Sequence, residues 1–87
     1  MSESSYTVSV RKSAQREIKQ LDHTIRIRVV EALRSLEDPR PSGCLKLAGA
    51  TNLWRIRVGD WRILYEINDA VREVDIVGVR HRSRAYD

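Results

Sequence analysis

Between Leu53 and Val58 the chain alternates. Trp54, Ile56 and Val58 fall on one side, Leu53, Arg55 and Arg57 on the other. A period of two predicts a strand with one buried and one wet face. Gly59-Asp60 follows, a two-residue hairpin signal, because such loops need positive φ and both residue types tolerate it. Trp61–Ile67 is then the return strand, and Asn68, Asp69 and Ala70 make a second turn. Glu73–Val79 reads as a third strand, with Val74, Ile76 and Gly78 set against Asp75, Val77 and Val79. The three strands form an antiparallel meander.

The first half has a different period. Ser2–Ser5 is a polar lead, expected to fray at the terminus. Tyr6–Val10 alternates Tyr6, Val8 and Val10 against Thr7 and Ser9, and predicts a first strand too distant in sequence to be the meander's hairpin partner. Ser13 suits the cap of a helix reaching Leu21, with Ala14, Ile18 and Leu21 on one face. Asp22 opens a second helix whose stripe is Ile25, Val29, Leu33 and Leu36, and Pro39 and Pro41 end it. Ser42–Thr51 is a connector. Strand, helical hairpin and meander predict a two-layer α+β domain over residues 1–87, with a curved sheet and both helices on one of its faces. The other sheet face has no helix left to cover it. It carries Arg55, Arg57 and, across the tight turn, Arg62.

Composition narrows the class. At 87 residues there is room for one domain with a small core, because a chain this short buries only about 60% of its unfolded surface. A hydrophobic content of 41% beside 32% charged residues suits a folded chain. No apolar run approaches the roughly 20 residues that cross a bilayer, and the N-terminus lacks the basic and apolar regions of a signal peptide. No membrane association is expected. Cys44 is the only cysteine, so there is no intrachain disulfide and no cysteine-rich metal site, and a cytoplasmic location is expected. His23 and His81 lie on different elements, no glycine-rich phosphate loop is present, and no cofactor is expected.

Charge adds the candidate chemistry. The net charge is +4, and of 16 basic residues only Lys12, Lys19 and Lys46 are lysines. Arginine presents a rigid fork of donors that matches phosphate and stays charged at any accessible pH. Arg55, Arg57, Arg62, Arg80, His81, Arg82 and Tyr86 gather on the meander and the tail after it. Several guanidinium groups converging on one phosphate would stabilise a pentavalent transition state, and a histidine beside them is a candidate proton carrier. The same pattern also suits a solvated basic sheet, or a non-catalytic module that binds RNA or DNA.

The order and spacing of several short segments resemble a RelE-type toxin of the RelE/ParE toxin–antitoxin superfamily. These are V-S-V-R-K-S-A-Q-R-E-I-K-Q-L near the start, the helical hairpin ending at Pro39, and K-L-A-G at Lys46–Gly49. The clearest are W-R-I-R-V-G-D-W-R-I-L-Y-E-I at Trp54–Ile67 and V-G-V-R-H-R-S-R-A-Y at Val77–Tyr86. The resemblance implies metal-independent cleavage of mRNA in the ribosomal A site, by attack of the message's own 2′-hydroxyl on the adjacent phosphate. It implies phosphate binding by Arg62, transition-state stabilisation by Arg80, and nucleotide contact or proton transfer by Tyr86. Arg55 and Arg57 fall where the best-known members carry lysines. An arginine does not give up its proton, so a base role there passes to His81 or Tyr86. The implied partners are the ribosome with its mRNA and a RelB-like antitoxin, which would mediate any contact with operator DNA. A ParE-like DNA gyrase inhibitor, without nuclease activity, and a degenerate toxin that retains only antitoxin binding are the alternatives within the superfamily.

Overall fold

A computed structural model of the chain describes residues 5–47, 49 and 52–84. The elements are β1 (Thr7–Val10), α1 (Lys12–Lys19), α2 (His23–Ser35), β2 (Leu45–Lys46), β3 (Leu53–Val58), β4 (Trp61–Asn68), β5 (Glu73–His81) and a 3₁₀ turn at Arg82–Arg84. The strands form one sheet in the order β1-β5-β4-β3-β2. β1 runs parallel to β5, and the other pairs are antiparallel. The expected two-layer α+β arrangement is present, with the meander at its centre and an edge strand on each side.

Two short strands therefore join what the sequence pattern grouped differently. β1 docks beside the last strand of the chain, with Val8 opposite Val74 and Val10 opposite Ile76. β2 lies inside the expected connector and extends the sheet past β3. Its two residues are too few to carry a detectable period.

The helix boundaries also differ from expectation. α1 begins at Lys12 directly after β1, with Arg11 in the capping position and no side-chain cap. Ser13 falls inside the first turn, where its hydroxyl lies 3.5 Å from the Val77 carbonyl. α2 stops at Ser35, and i→i−3 backbone bonds carry the chain on to Asp38. Pro39 bars helical geometry beyond that point.

The core lies between α2 and the sheet. Val29, Leu33 and Leu36 pack with Ile56, Val58, Ile63, Tyr65, Ile67, Val74, Ile76 and Val79, joined by Ala14 and Leu21. Tyr65 is fully buried, and its hydroxyl donates to the Pro39 carbonyl at 2.8 Å. That bond satisfies both groups and pins the end of the helical layer to the sheet centre. A second tie joins chain start to meander, where Asp69 accepts from the Tyr6 hydroxyl at 2.6 Å and from Arg40 at 2.9 Å. The Arg40 hydrogen bond is the main reason that the Asp69 carboxyl is held below its ordinary pKa.

Candidate functional site

The site is built by strand register. In the β3–β4 hairpin Gly59 takes φ +61°, which closes the two-residue turn and sets Arg57 opposite Arg62. Across the next pair Arg62 stands opposite Arg80. Three arginines thus form one row across β3, β4 and β5, on the sheet face away from the helices. The next row along is Arg55, Leu64 and Gly78. Further along lie Glu66 and Asp75, both bonded by Arg11 at 3.0 and 2.7 Å. The open face is basic at the hairpin end and acidic, partly neutralised, at the other.

Arg80 reaches this row because β5 carries a bulge. Leu64 pairs with Gly78 and Tyr65 with Ile76, so Val77 is an extra residue on β5. Strict alternation, as read from the sequence, puts Gly78 on the side of Val74 and Ile76, and Arg80 with them. The bulge reverses the phase. Val79 joins the core, while Gly78 and Arg80 turn to the open face.

Like charges placed directly opposite one another destabilise a strand pair by roughly 0.2–1 kcal/mol. The row is therefore an arrangement that folding alone disfavours, and one suited to an anion. Arg57 is exposed and Arg62 half-buried, and the Arg62 Nε is buried with no hydrogen-bond partner among the described residues. Arg80 forms an ion pair with Glu17 on α1. Nothing in the sequence marks Glu17 as part of this region, since the contact spans 63 positions.

The remaining candidates are placed as follows. Arg55 is only 7% exposed, so it belongs to the interior of the sheet face and not to its open surface. His81 pairs with Trp61 across β4–β5 and meets its ring edge-on at 5.3 Å. It lies on the opposite side of the strand from Arg80, and its Nδ1 is 3.1 Å from the Ser83 hydroxyl. Arg82 is exposed in the 3₁₀ turn, with its backbone N–H donating to the Asp60 carbonyl at 2.7 Å. That bond ties the hairpin turn to the end of β5. Tyr86 lies outside the described residues. Among the described residues no cluster of His, Cys, Asp or Glu is placed to hold a metal ion, and no helix is long and apolar enough to cross a membrane.

This fold, two helices on one face of a five-stranded mixed sheet, is that of the RelE/ParE superfamily of type II toxins. Residues 8–86 match the model of the ParE toxin of the type II toxin–antitoxin system parDE, and the chain belongs to this family. Solved structures agree. A chain of the archaeal RelE–RelB complex from Pyrococcus horikoshii OT3 is 29% identical, with a TM-score of 0.81 over 93% of this chain and 99% of that one. A chain of the toxin–antitoxin complex RelBE2 from Mycobacterium tuberculosis is 31% identical, with a TM-score of 0.79 over 90% and 99%. A chain of the intact E. coli RelBE complex shares the fold at 24% identity and a TM-score of 0.75, over 87% and 95%. Comparison with curated protein sequences finds no match. The protein is a toxin of a type II toxin–antitoxin pair.

Proposed function

We propose that this toxin is a ribosome-dependent, metal-independent endoribonuclease that cuts mRNA in the A site. The observation that carries the reading is the row Arg57–Arg62–Arg80 on the open sheet face. An RNA strand laid across it would bring one backbone phosphate between Arg62 and Arg80. Attack by the adjacent 2′-hydroxyl forms the O2′–P bond, passes through a pentavalent phosphorane, and expels the 5′-oxygen of the next nucleotide. Fixed guanidinium groups stabilise the charge that develops on the phosphoryl oxygens. Arg57 adds electrostatic support from the next strand, while Arg55 and Arg82 flank the row. The proton carrier in this reading is Tyr86 or His81. The engagement of His81 with Trp61 and Ser83 favours Tyr86.

A site that, among the described residues, consists mainly of fixed charge gains most when something else orients the substrate. The decoding site of the ribosome supplies that orientation. The neutralising partner in this reading is a RelB-like antitoxin, in line with the toxin–antitoxin complexes among the structural relatives, and operator DNA is reached only through it. A second reading, inhibition of DNA gyrase without nuclease activity, is favoured by the family match itself. The test is a reconstituted translation reaction with defined mRNA, with and without programmed ribosomes, and 5′ ends mapped by primer extension. Cuts within A-site codons that require ribosomes and slow by orders of magnitude, without vanishing, in Arg80→Ala support the nuclease. Intact mRNA together with loss of gyrase supercoiling activity supports the second reading.

A further inference from the structure

Glu17 makes two bonds to β5. Its Oε1 accepts the Val79 backbone N–H at 2.9 Å, and its Oε2 accepts Arg80 Nη1. The N–H of Val79 needs such a partner. β1 pairs with β5 only as far as Val10 opposite Ile76, so beyond that point no strand is present to take it. α1 follows β1 after a single residue and runs along this vacated edge, which brings Glu17 level with Val79. The same end of the Arg80 guanidinium lies over Gly78. A Cβ there would lie 3.0 Å from Arg80 Cζ and closer still to Nη1, so the guanidinium occupies the space of the missing side chain.

We propose that Glu17 and Gly78 act together as a positioning device for Arg80, holding its guanidinium at the end of the arginine row for a backbone phosphate of RNA. The functional consequence rests on the nuclease reading given above. The carboxylate engages Nη1 and restrains a side chain that otherwise samples many rotamers. Among the described residues no other group bonds the guanidinium, so Nε and Nη2 are left for a phosphate, and the restraint is in place before the substrate arrives. The carboxylate also offsets part of the repulsion between Arg80 and Arg62. Glu17 touches no reacting atom. It acts through Arg80, so its removal should slow the chemical step without weakening association. Loss of a negative charge beside a phosphate site should, if anything, strengthen association.

The experiment compares wild type with Glu17→Gln, Gly78→Ala, Arg80→Ala and the two double variants that include Arg80→Ala. Glutamine keeps an oxygen for the Val79 N–H and removes only the charge. Gly78 is not at positive φ, so alanine there changes only the space beside Arg80. In single-turnover cleavage on programmed ribosomes, each single variant should lose about tenfold in maximal rate, with an unchanged or lower half-saturating concentration. Neither should lower the rate further in the Arg80→Ala background. Equal further losses in that background would make Glu17 and Gly78 merely structural and overturn the proposal. A second readout stands apart from activity. Arginine-labelled NMR should show hindered rotation of the Arg80 guanidinium in wild type and free rotation in both single variants. The same hindered signal in all three proteins overturns the positioning role. Wild-type protein that leaves mRNA intact removes the nuclease reading, and the NMR comparison then decides the positioning claim alone.

Discussion

Replacing the middle arginine of the row should stabilise the protein and, on the nuclease reading, destroy its activity. Arg62 faces Arg57 across one strand pair and Arg80 across the other. Each such pair of like charges costs roughly 0.2–1 kcal/mol. The Arg80 charge is partly offset by Glu17, so the contact with Arg57 dominates. Among the described residues the buried Arg62 Nε has no hydrogen-bond partner, and that adds a desolvation cost. Methionine keeps the length and apolar stem of the side chain and removes the charge and the orphaned donor. Together these terms give Arg62→Met a gain of about 1 kcal/mol, or roughly 4–8 °C in melting temperature for a domain of this size. Urea unfolding should show a raised midpoint with an unchanged slope. The gain should shrink as salt is raised, because at 1 M the screening length falls to about 3 Å. In the cleavage assay the same variant should lose about 10²–10³-fold. A midpoint at or below wild type at low salt would refute the reasoning, since it would make the row an ordinary stabilising part of the sheet.

Three further outcomes follow from the same geometry. Tyr65→Phe should cost about 1–2 kcal/mol in urea unfolding, because it leaves the Pro39 carbonyl without its donor. Burial raises the Tyr65 hydroxyl above its ordinary 10, so its contribution is whole below pH 10 and is lost as the pH climbs toward the folded value. Tyr65→Phe should flatten that alkaline decline, and an identical decline in both proteins would count against it. Asp69 is shifted the other way. Its contribution is present above its ordinary value of 3.8 and is lost as the pH falls through the depressed folded value, so Asp69→Asn should remove part of the acid-side loss measured by circular dichroism. On the nuclease reading, Arg57→Gln should weaken binding of a non-cleavable oligoribonucleotide and reduce the slope of log affinity against log salt by about 0.7, measured by fluorescence anisotropy. An unchanged slope would place the RNA elsewhere.

How much of this protein was legible in the chain can be followed residue by residue. The period of two over Leu53–Val58, the Gly59-Asp60 turn and the apolar stripe Val29–Leu33–Leu36 are local signals, and local signals carry the hairpin, the helices and the two-layer α+β class. They also place Arg57 and Arg62 together, because a two-residue turn fixes the register on both sides of it. Of the edge strands, β1 was legible as a strand from the alternation over Tyr6–Val10, but its place in the sheet was not, and β2 was not legible at all. β2 is two residues long, and β1 finds its partner 66 positions away, Thr7 against Glu73. The side of the sheet that Arg80 occupies was also hidden. Alternation counted along β5 sends it toward the helices, and only the extra residue at Val77, visible once β4 and β5 are paired, turns it toward Arg62. Glu17 is the clearest case. In sequence it is one acid on a short helix, and its role exists only because β1 ends at Val10 and leaves the Val79 N–H to be taken by α1. The chain itself determines which residues alternate and turn, since those preferences act over a few neighbours. The meeting of the local pair Arg57 and Arg62 with Arg80 and Glu17 was decided by the tertiary structure, because the β5 bulge and the docking of α1 are set by contacts between segments distant along the chain.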